Sequence, residues 1–383
     1  METKKSVMLV YGTRPEAIKM APLVHEFQGD ERFNTIVAVT GQHREMLDQV
    51  NDIFGITPDY DLDIASPGQG LNAIFAKTLN GLEELFEKVD VDAVVVQGDT
   101  TTSTAAAVAA FNQQKPVIHV EAGLRSGNLF SPFPEEANRK ITSQLASLHL
   151  APTTTSRDNL VREALPADDI VVTGNSVIDA LFEVVDKKVP FADERLTELA
   201  ASGRKVLLVT THRRENLGDA MIGIGKAIGR LADAYPDMTV VVPMHKNPKV
   251  RAAIQPGFEG RSNVLDIEPL DYGEFVHLLS LSHIVVTDSG GVQEEAPSLG
   301  KPVLVLRENT ERPEAVVAGT VKLIGTDEER IVSEVTELME NPSSYASLAN
   351  AVNPYGDGKA SERSVAATAK LLGVGERIEE FSL

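Results

Sequence analysis

The sequence has no cysteine among its 383 residues, which excludes disulfides, thiolate metal sites, iron–sulfur clusters and cysteine nucleophiles together. It lacks any apolar run near the ~18–20 residues that a membrane span needs. The short stretch 7–11 after the charged start is strand-sized, too short for a signal segment, so the cytoplasm is the expected location. Basic residues are scarce: 36 Lys and Arg against 56 Asp and Glu leave a net charge of −20. That balance argues against general nucleic-acid binding, yet a local cluster of Arg and Lys can still hold an anionic ligand. No Walker, H-E-x-x-H, EF-hand or nucleophile-elbow pattern occurs, and no metal is expected. The D-x-D pair Asp61-Leu62-Asp63 lies in a loop-like stretch with no strand before it and reads as incidental.

What the chain does carry is alternation. Strand-length apolar runs at 6–11, 35–40, 93–97, 116–120 and 170–173 are separated by helix-like spacing over 16–27, 44–53, 72–89, 101–112 and 134–146. A second series of strands follows at 205–210, 239–243, 264–267, 283–287, 302–306 and 321–324. Strand then helix, repeated with short connections, means a mostly parallel sheet covered on both faces. The expected fold class is α/β, with two doubly wound domains facing across a cleft lined by the carboxyl ends of strands. The pattern pauses near Gly174, and the charged stretch 180–204 contains Pro190 and Gly203. Domains are therefore expected at 1–176 and 177–360, with the C-terminal segment 361–383 packing back on the first.

Several strand ends offer chemistry. Gly12-Thr13-Arg14-Pro15-Glu16 opens a helix with Lys19 one turn on. Arg14 and Lys19 beside that N-terminus read as a phosphate or carboxylate site, or as an ordinary capped turn. The turn lacks the G-x-G-x-x-G spacing of a nicotinamide site. Asp99, in Gln97-Gly98-Asp99-Thr100, is either an N-cap or an acid facing the cleft. Glu121 follows the next strand, and Glu135 or Glu136 opens the next helix, where the dipole alone favours an acid. Carboxylates grouped around one cleft can push each other's pKa values apart and divide acid from base roles. In the second half, His212-Arg213-Arg214 closes a strand and reads as a polyanion clamp. His245 sits in a similar turn one strand later. The strongest local signal is Asp288-Ser289-Gly290-Gly291-Val292-Gln293-Glu294-Glu295. Its glycines admit a phosphate to backbone amides, Glu295 one turn in can accept both hydroxyls of a ribose, and Arg312 can neutralise a diphosphate.

These runs, with Thr40-Gly41-Gln42-His43-Arg44-Glu45, His119-Val120-Glu121-Ala122-Gly123-Leu124-Arg125 and Pro134-Glu135-Glu136-Ala137-Asn138-Arg139, resemble the non-hydrolysing bacterial UDP-N-acetylglucosamine 2-epimerases from about residue 6 to 372. The resemblance implies two Rossmann-like domains in the glycosyltransferase-B arrangement, as a homodimer. It implies reversible epimerisation at C2 of UDP-GlcNAc to UDP-ManNAc without a cofactor, by elimination of UDP to 2-acetamidoglucal and re-addition. The product would supply ManNAc for cell-surface polysaccharide, and neither nucleic acid nor membrane is an implied partner. Asp99, Glu121, Glu135 and His212 match catalytic positions. Arg14, Lys19, Arg213, Phe275, Ser289, Gly290, Gly291, Glu295 and Arg312 match UDP-binding positions, Phe275 near the uracil. Leu270 stands where some members carry Gln. Gln42, His43, Gln69 and His245 match positions that bind a second UDP-GlcNAc as allosteric activator, although Glu45 and Gly68 replace the Gln and Arg of some activated members. The alternatives are a UDP-sugar transferase of the glycosyltransferase-B type, a hydrolysing 2-epimerase releasing free ManNAc, and a noncatalytic sugar-nucleotide sensor. The full set of three acids and His212 counts against the last.

Overall fold

The computed structural model describes residues 4–42, 44–66, 68–213, 216–310 and 312–383; His43 and Arg214 lie outside the described residues. The chain divides into two compact units, one reaching to Glu183 and including Tyr355–Leu383, the other Val184–Pro354. Residues 177–183 and 355–360 thus group with the first unit.

Among the described residues, the first unit holds a seven-stranded parallel sheet. Its strands are β1 (Lys5–Tyr11), β2 (Phe33–Val39), β3 (Tyr60–Asp61), β4 (Ala93–Gln97), β5 (Val117–Val120), β6 (Leu148–Ala151) and β7 (Ile170–Val172). They run in the order β3-β2-β1-β4-β5-β6-β7. The order reverses at β1, which pairs with β2 on one side and β4 on the other, so the crevice for a ligand opens at the carboxyl ends of β1 and β4. Met8, Leu9, Val10 and Val94, Val95, Val96 are all fully buried. These strands carry apolar side chains on both faces because helices cover both. The helix Thr101–Asn112 packs almost without exposed surface, its alanines allowing close approach. Its small polar residues are satisfied locally: Thr100 accepts from Ser103 N, and Ser103 Oγ and Thr104 Oγ1 donate to Thr100 O.

The second unit repeats the plan with β8 (Val206–Thr210), β9 (Thr239–Pro243), β10 (Val264–Ile267), β11 (Ile284–Thr287), β12 (Val303–Val305) and β13 (Val321–Leu323). Their order is β10-β9-β8-β11-β12-β13, with the reversal between β8 and β11. Leu207, Val209, Ile224, Ile228, Val240 and Val286 belong to its core. The C-terminal helix Ala360–Leu371 packs on the helix Arg14–Gly29, and Asp179 accepts from its first amides, Ala360 N at 3.2 Å and Ser361 N at 2.7 Å. No helix among the described residues is long and apolar enough to cross a membrane.

Three local expectations need correction. Asp61-Leu62-Asp63 does have a strand before it: Tyr60–Asp61 adds to the edge of β2, and Arg44 pairs with both carboxylates. The strand β6 was not expected; it is four residues long and interrupted by His149. The charged pause after Gly174 is helical, over Ser176–Val185 and Glu194–Ser202. Asp193 caps the second of these by accepting from Arg195 N.

The register of the first sheet sets His119 on β5 beside His149 on β6, both closed off from solvent. Burial pushes these imidazoles down to about 4 and about 3. The unfolded chain therefore takes up these protons near pH 6.5 while the folded chain does not. Each contributes stability that is full above pH 6.5 and is lost as pH falls through its folded value, on the order of 3 kcal/mol for His119 and 5 kcal/mol for His149. Denaturant unfolding at pH 7.5 and pH 5 should show the part lost by pH 5, about 2 kcal/mol for each histidine, and replacing His149 by Leu should reduce it.

Candidate active site

In the first unit the carboxyl ends of β1, β4 and β5 bring charged groups together. Gly98 follows β4 with φ of +67°, a conformation glycine adopts freely, and the turn carries Asp99. Arg139 holds Asp99 by an ion pair of 2.7 Å. Burial raises the Asp99 carboxyl above its ordinary range, the nearby charge of Glu121 adds to the rise, and Arg139 and Lys19 oppose it. Asp99 does not cap the following helix; Thr100 does. Glu121, just past β5, sits at φ of +61°, a left-handed conformation that costs a non-glycine residue about 1 kcal/mol or more and concentrates at functional sites. The fit around it repays that strain. Lys19 Nζ lies 2.6 Å from both of its oxygens, Asn175 Nδ2 donates at 3.2 Å, and the Gln97 amide also donates.

Glu135 and Glu136 open the helix Glu135–Leu145 but differ sharply. Glu136 is fully buried and structural: it accepts from Ser126 N and Gly127 N and pairs with Arg139. Burial opposes its charge, but these donors win and hold its carboxyl below the usual range. Glu135 instead has a buried Oε2 with no partner. An unmet buried carboxylate oxygen is costly and calls for a ligand or a function. Across β1, Arg14 is half-buried at the start of its helix. Glu16, wholly buried, accepts from Gly12 N, Thr13 N and Thr100 Oγ1, tying the turns after β1 and β4 together. Burial raises its carboxyl despite those donors.

In the second unit the turns after β8 and β11 meet at Asp288, which is fully buried. It accepts from Thr211 Oγ1, Asn216 Nδ2, His212 N and Arg213 N, all within 2.9–3.2 Å. His212 Nδ1 lies 3.1 Å away. Burial works against the Asp288 charge, yet the donors from His212 and Arg213 outweigh it and bring the carboxyl down to about 2. The permanent anion fixes the His212 ring through Nδ1 and leaves Nε2 for chemistry. His245 stacks on the same ring, centroids 5.9 Å apart. Beyond it, Ser289 precedes the helix Gly290–Ser298. Glu294 pairs with Arg312 at 2.5 Å, and Tyr272 donates to Glu295 at 2.8 Å. Phe275 is half-buried on the same helix as Tyr272, Tyr272–Leu281.

Gly290 leaves room for the Arg312 guanidinium, since a Cβ there would stand 2.5 Å from Nη1 and 2.7 Å from Cζ. Gly290→Ala must push Arg312 aside, and titration calorimetry should show affinity for a nucleoside diphosphate weakened about tenfold, the scale of one charge-assisted hydrogen bond.

The structure thus gathers Lys19, Asp99 and Glu121 within one unit, and His212, Arg213 and Asp288 in the other, where Glu294 holds Arg312. Of the effector positions, Gln42 accepts from Thr102 Oγ1 at 2.8 Å and Gln69 from Lys77 Nζ at 3.3 Å. Sequence reasoning missed Arg139, Gln97, Asn175 and Tyr272 as partners of the acids, and the anchoring role of Asp288. Only Asp288 had a signal, standing first in the Ser-Gly-Gly turn; the others act through tertiary contacts that spacing does not show.

Two parallel-sheet α/β units, each with a polar cluster where its strand order reverses, place the chain in the glycosyltransferase-B fold class. A glycotransferase of kitacinnamycin, at 13% identity, shares that fold with a TM-score of 0.64. The family model for UDP-N-acetylglucosamine 2-epimerase matches residues 25–369. The UDP-N-acetylglucosamine 2-epimerase of Escherichia coli K12 is 52% identical, covering 93% of this chain and 96% of that one. A crystal structure of UDP-GlcNAc 2-epimerase from Neisseria meningitidis, bound to UDP-GlcNAc, superposes with a TM-score of 0.84 at 50% identity, over 95% of this chain and 100% of that one. The chain belongs to the UDP-N-acetylglucosamine 2-epimerase family of isomerases.

Proposed function

We propose that this chain interconverts UDP-GlcNAc and UDP-ManNAc by elimination and re-addition of UDP. The supporting observation is the set of three carboxylates in unlike surroundings: Glu121 against Lys19, Asp99 against Arg139, and Glu135 with an unmet buried oxygen. The C2 hydrogen is not acidic, because no carbonyl adjoins it, so C1–O cleavage runs ahead. The bonding pair leaves with the β-phosphate oxygen, C1 gains positive charge, a carboxylate takes the C2 proton, and 2-acetamidoglucal remains. Return delivers a proton to the opposite face of C2 while the UDP oxygen adds to C1. Glu121, ion-paired with Lys19, suits proton removal. Asp99, raised by burial, suits delivery. Glu135 stabilises the developing cation. His212, steadied by Asp288, assists departure of UDP. Arg14, Lys19, Arg213, Arg312, Ser289, Gly290 and Gly291 hold the diphosphate, Glu295 the ribose and Phe275 the uracil.

Incubating the protein with UDP-GlcNAc alone and following products by NMR tests the reading. UDP-ManNAc with little free sugar supports it. Free ManNAc would indicate hydrolysis, and substrate that reacts only with an added acceptor would indicate a transferase. The proposal extends to activation by a second UDP-GlcNAc through Gln42, His43, Gln69 and His245. Hyperbolic rate plots, with UDP-ManNAc turnover needing no added UDP-GlcNAc, would remove that extension. It extends also to a homodimer, which light scattering giving a single-chain mass would remove, and to a cytoplasmic role supplying ManNAc for surface polysaccharide.

A further inference from the structure

One buried group beside the acids has no part in the scheme above. His119 points into the first unit two residues before Glu121, and its Nε2 lies 2.7 Å from Gly98 O. The amide of the same Gly98 donates to Val120 O at 2.9 Å. Consecutive residues of β5 therefore grip Gly98 from both sides. Gly98 itself separates Gln97, whose amide donates to Glu121, from Asp99. A carbonyl oxygen only accepts, so the His119 proton must reside on Nε2. That leaves Nδ1 as an acceptor, and it has no partner. Burial, which depresses the imidazole to about 4, keeps the ring neutral at pH 7 and gives one defined tautomer.

We infer that His119 is a positioning residue: its bond from Nε2 to the Gly98 carbonyl fixes the turn between Gln97 and Asp99, and so the spacing of the Asp99 and Glu121 carboxylates. The inference rests on the proposed epimerisation. Two-carboxylate proton transfer demands such spacing, because a displacement of about 1 Å can cost about 10²-fold in rate. Apolar side chains fill the neighbouring β4 positions Val94, Val95 and Val96. A valine or leucine at 119 would pack as well but could not hold the carbonyl.

Two measurements test it. Nitrogen-15 NMR of the wild-type histidine rings should show His119 as the neutral Nε2–H tautomer from pH 8 to pH 5. A neutral Nδ1–H tautomer, or an imidazolium at pH 7, would overturn the inference whatever the variants do. Kinetics then compare His119→Leu with His119→Gln, whose amide N–H reaches nearly the same point. The Leu variant should lose about 10–100-fold in kcat with KM within about twofold of wild type, and the Gln variant should recover most of the loss. UDP binding by calorimetry normalises each value to folded protein. If the Leu variant does not fold, His119→Asn takes its place, since its shorter amide cannot reach Gly98. Wild-type kcat without the donor, or no advantage of Gln over Leu or Asn, overturns the inference alone. Absence of sugar interconversion by the wild type removes the parent reading instead, and the inference with it.

Discussion

Glu121→Gln should lower kcat by about 10²–10⁴-fold, the contribution of a positioned acid or base. The side chain keeps its shape, so its contacts with Gln97 and Asn175 survive in part, but the charge that Lys19 faces at 2.6 Å is gone. UDP affinity should change less than kcat, because of the proposed diphosphate ligands only Lys19 faces Glu121, whereas the Ser289–Gly291 turn and the Glu294–Arg312 pair belong to the other unit. Asp99→Asn and Glu135→Gln should each cost at least ~10²-fold. The three variants separate by cause: Asn at 99 loses the Arg139 ion pair, whereas Gln at 135 breaks no bond that Oε2 makes. Steady-state kinetics with UDP calorimetry on the same preparations checks both halves. Near-wild-type turnover in all three would contradict the carboxylate mechanism.

Asp288→Asn should combine the second large loss of activity with a loss of stability. Four donors besides the His212 ring converge on a fully buried carboxylate. An amide offers one acceptor oxygen and turns two N–H groups toward those donors. Breaking a buried charge network by removing one partner costs about 3–5 kcal/mol. The same change releases the His212 ring, so the kcat loss should approach that of His212→Ala. The pH dependence has a definite sign. Asp288 is held at about 2 against an ordinary 3.8, so its stabilisation is full above pH 4 and disappears as pH falls through 2, about 2 kcal/mol in all. Between pH 7 and pH 3 the wild type should lose about 1 kcal/mol more stability than Asp288→Asn, the histidine losses being common to both. Equal stability and turnover in wild type and variant would show that Asp288 does not anchor the turn.

The strands were largely legible because both sheets are parallel and buried on both faces. Continuous runs such as Ala93–Gln97 and Thr239–Pro243 cannot be mistaken for half-exposed helix faces. Tyr60–Asp61 escaped because two residues leave no periodicity, and Leu148–Ala151 because His149 breaks its run. The acids were legible as strand-end residues, but not their environments. Glu135 and Glu136 are adjacent and identical in type, yet the helix turns one onto the Ser126 and Gly127 amides and leaves the other with a bare oxygen. His119 read as a strand residue within a run; only coordinates reveal the carbonyl that it holds. Asp288 illustrates the same limit, since its donors come from residues more than 70 positions earlier in the chain.

The central claim is that separate groups remove and return the hydrogen at C2, on opposite faces of an intermediate detached from UDP. Turnover of UDP-GlcNAc in D₂O, read by proton NMR at C2 of the products, measures this directly. The account predicts UDP-ManNAc carrying deuterium at C2 from the first turnover onward. UDP-ManNAc that forms while keeping the substrate's own C2 hydrogen would contradict it.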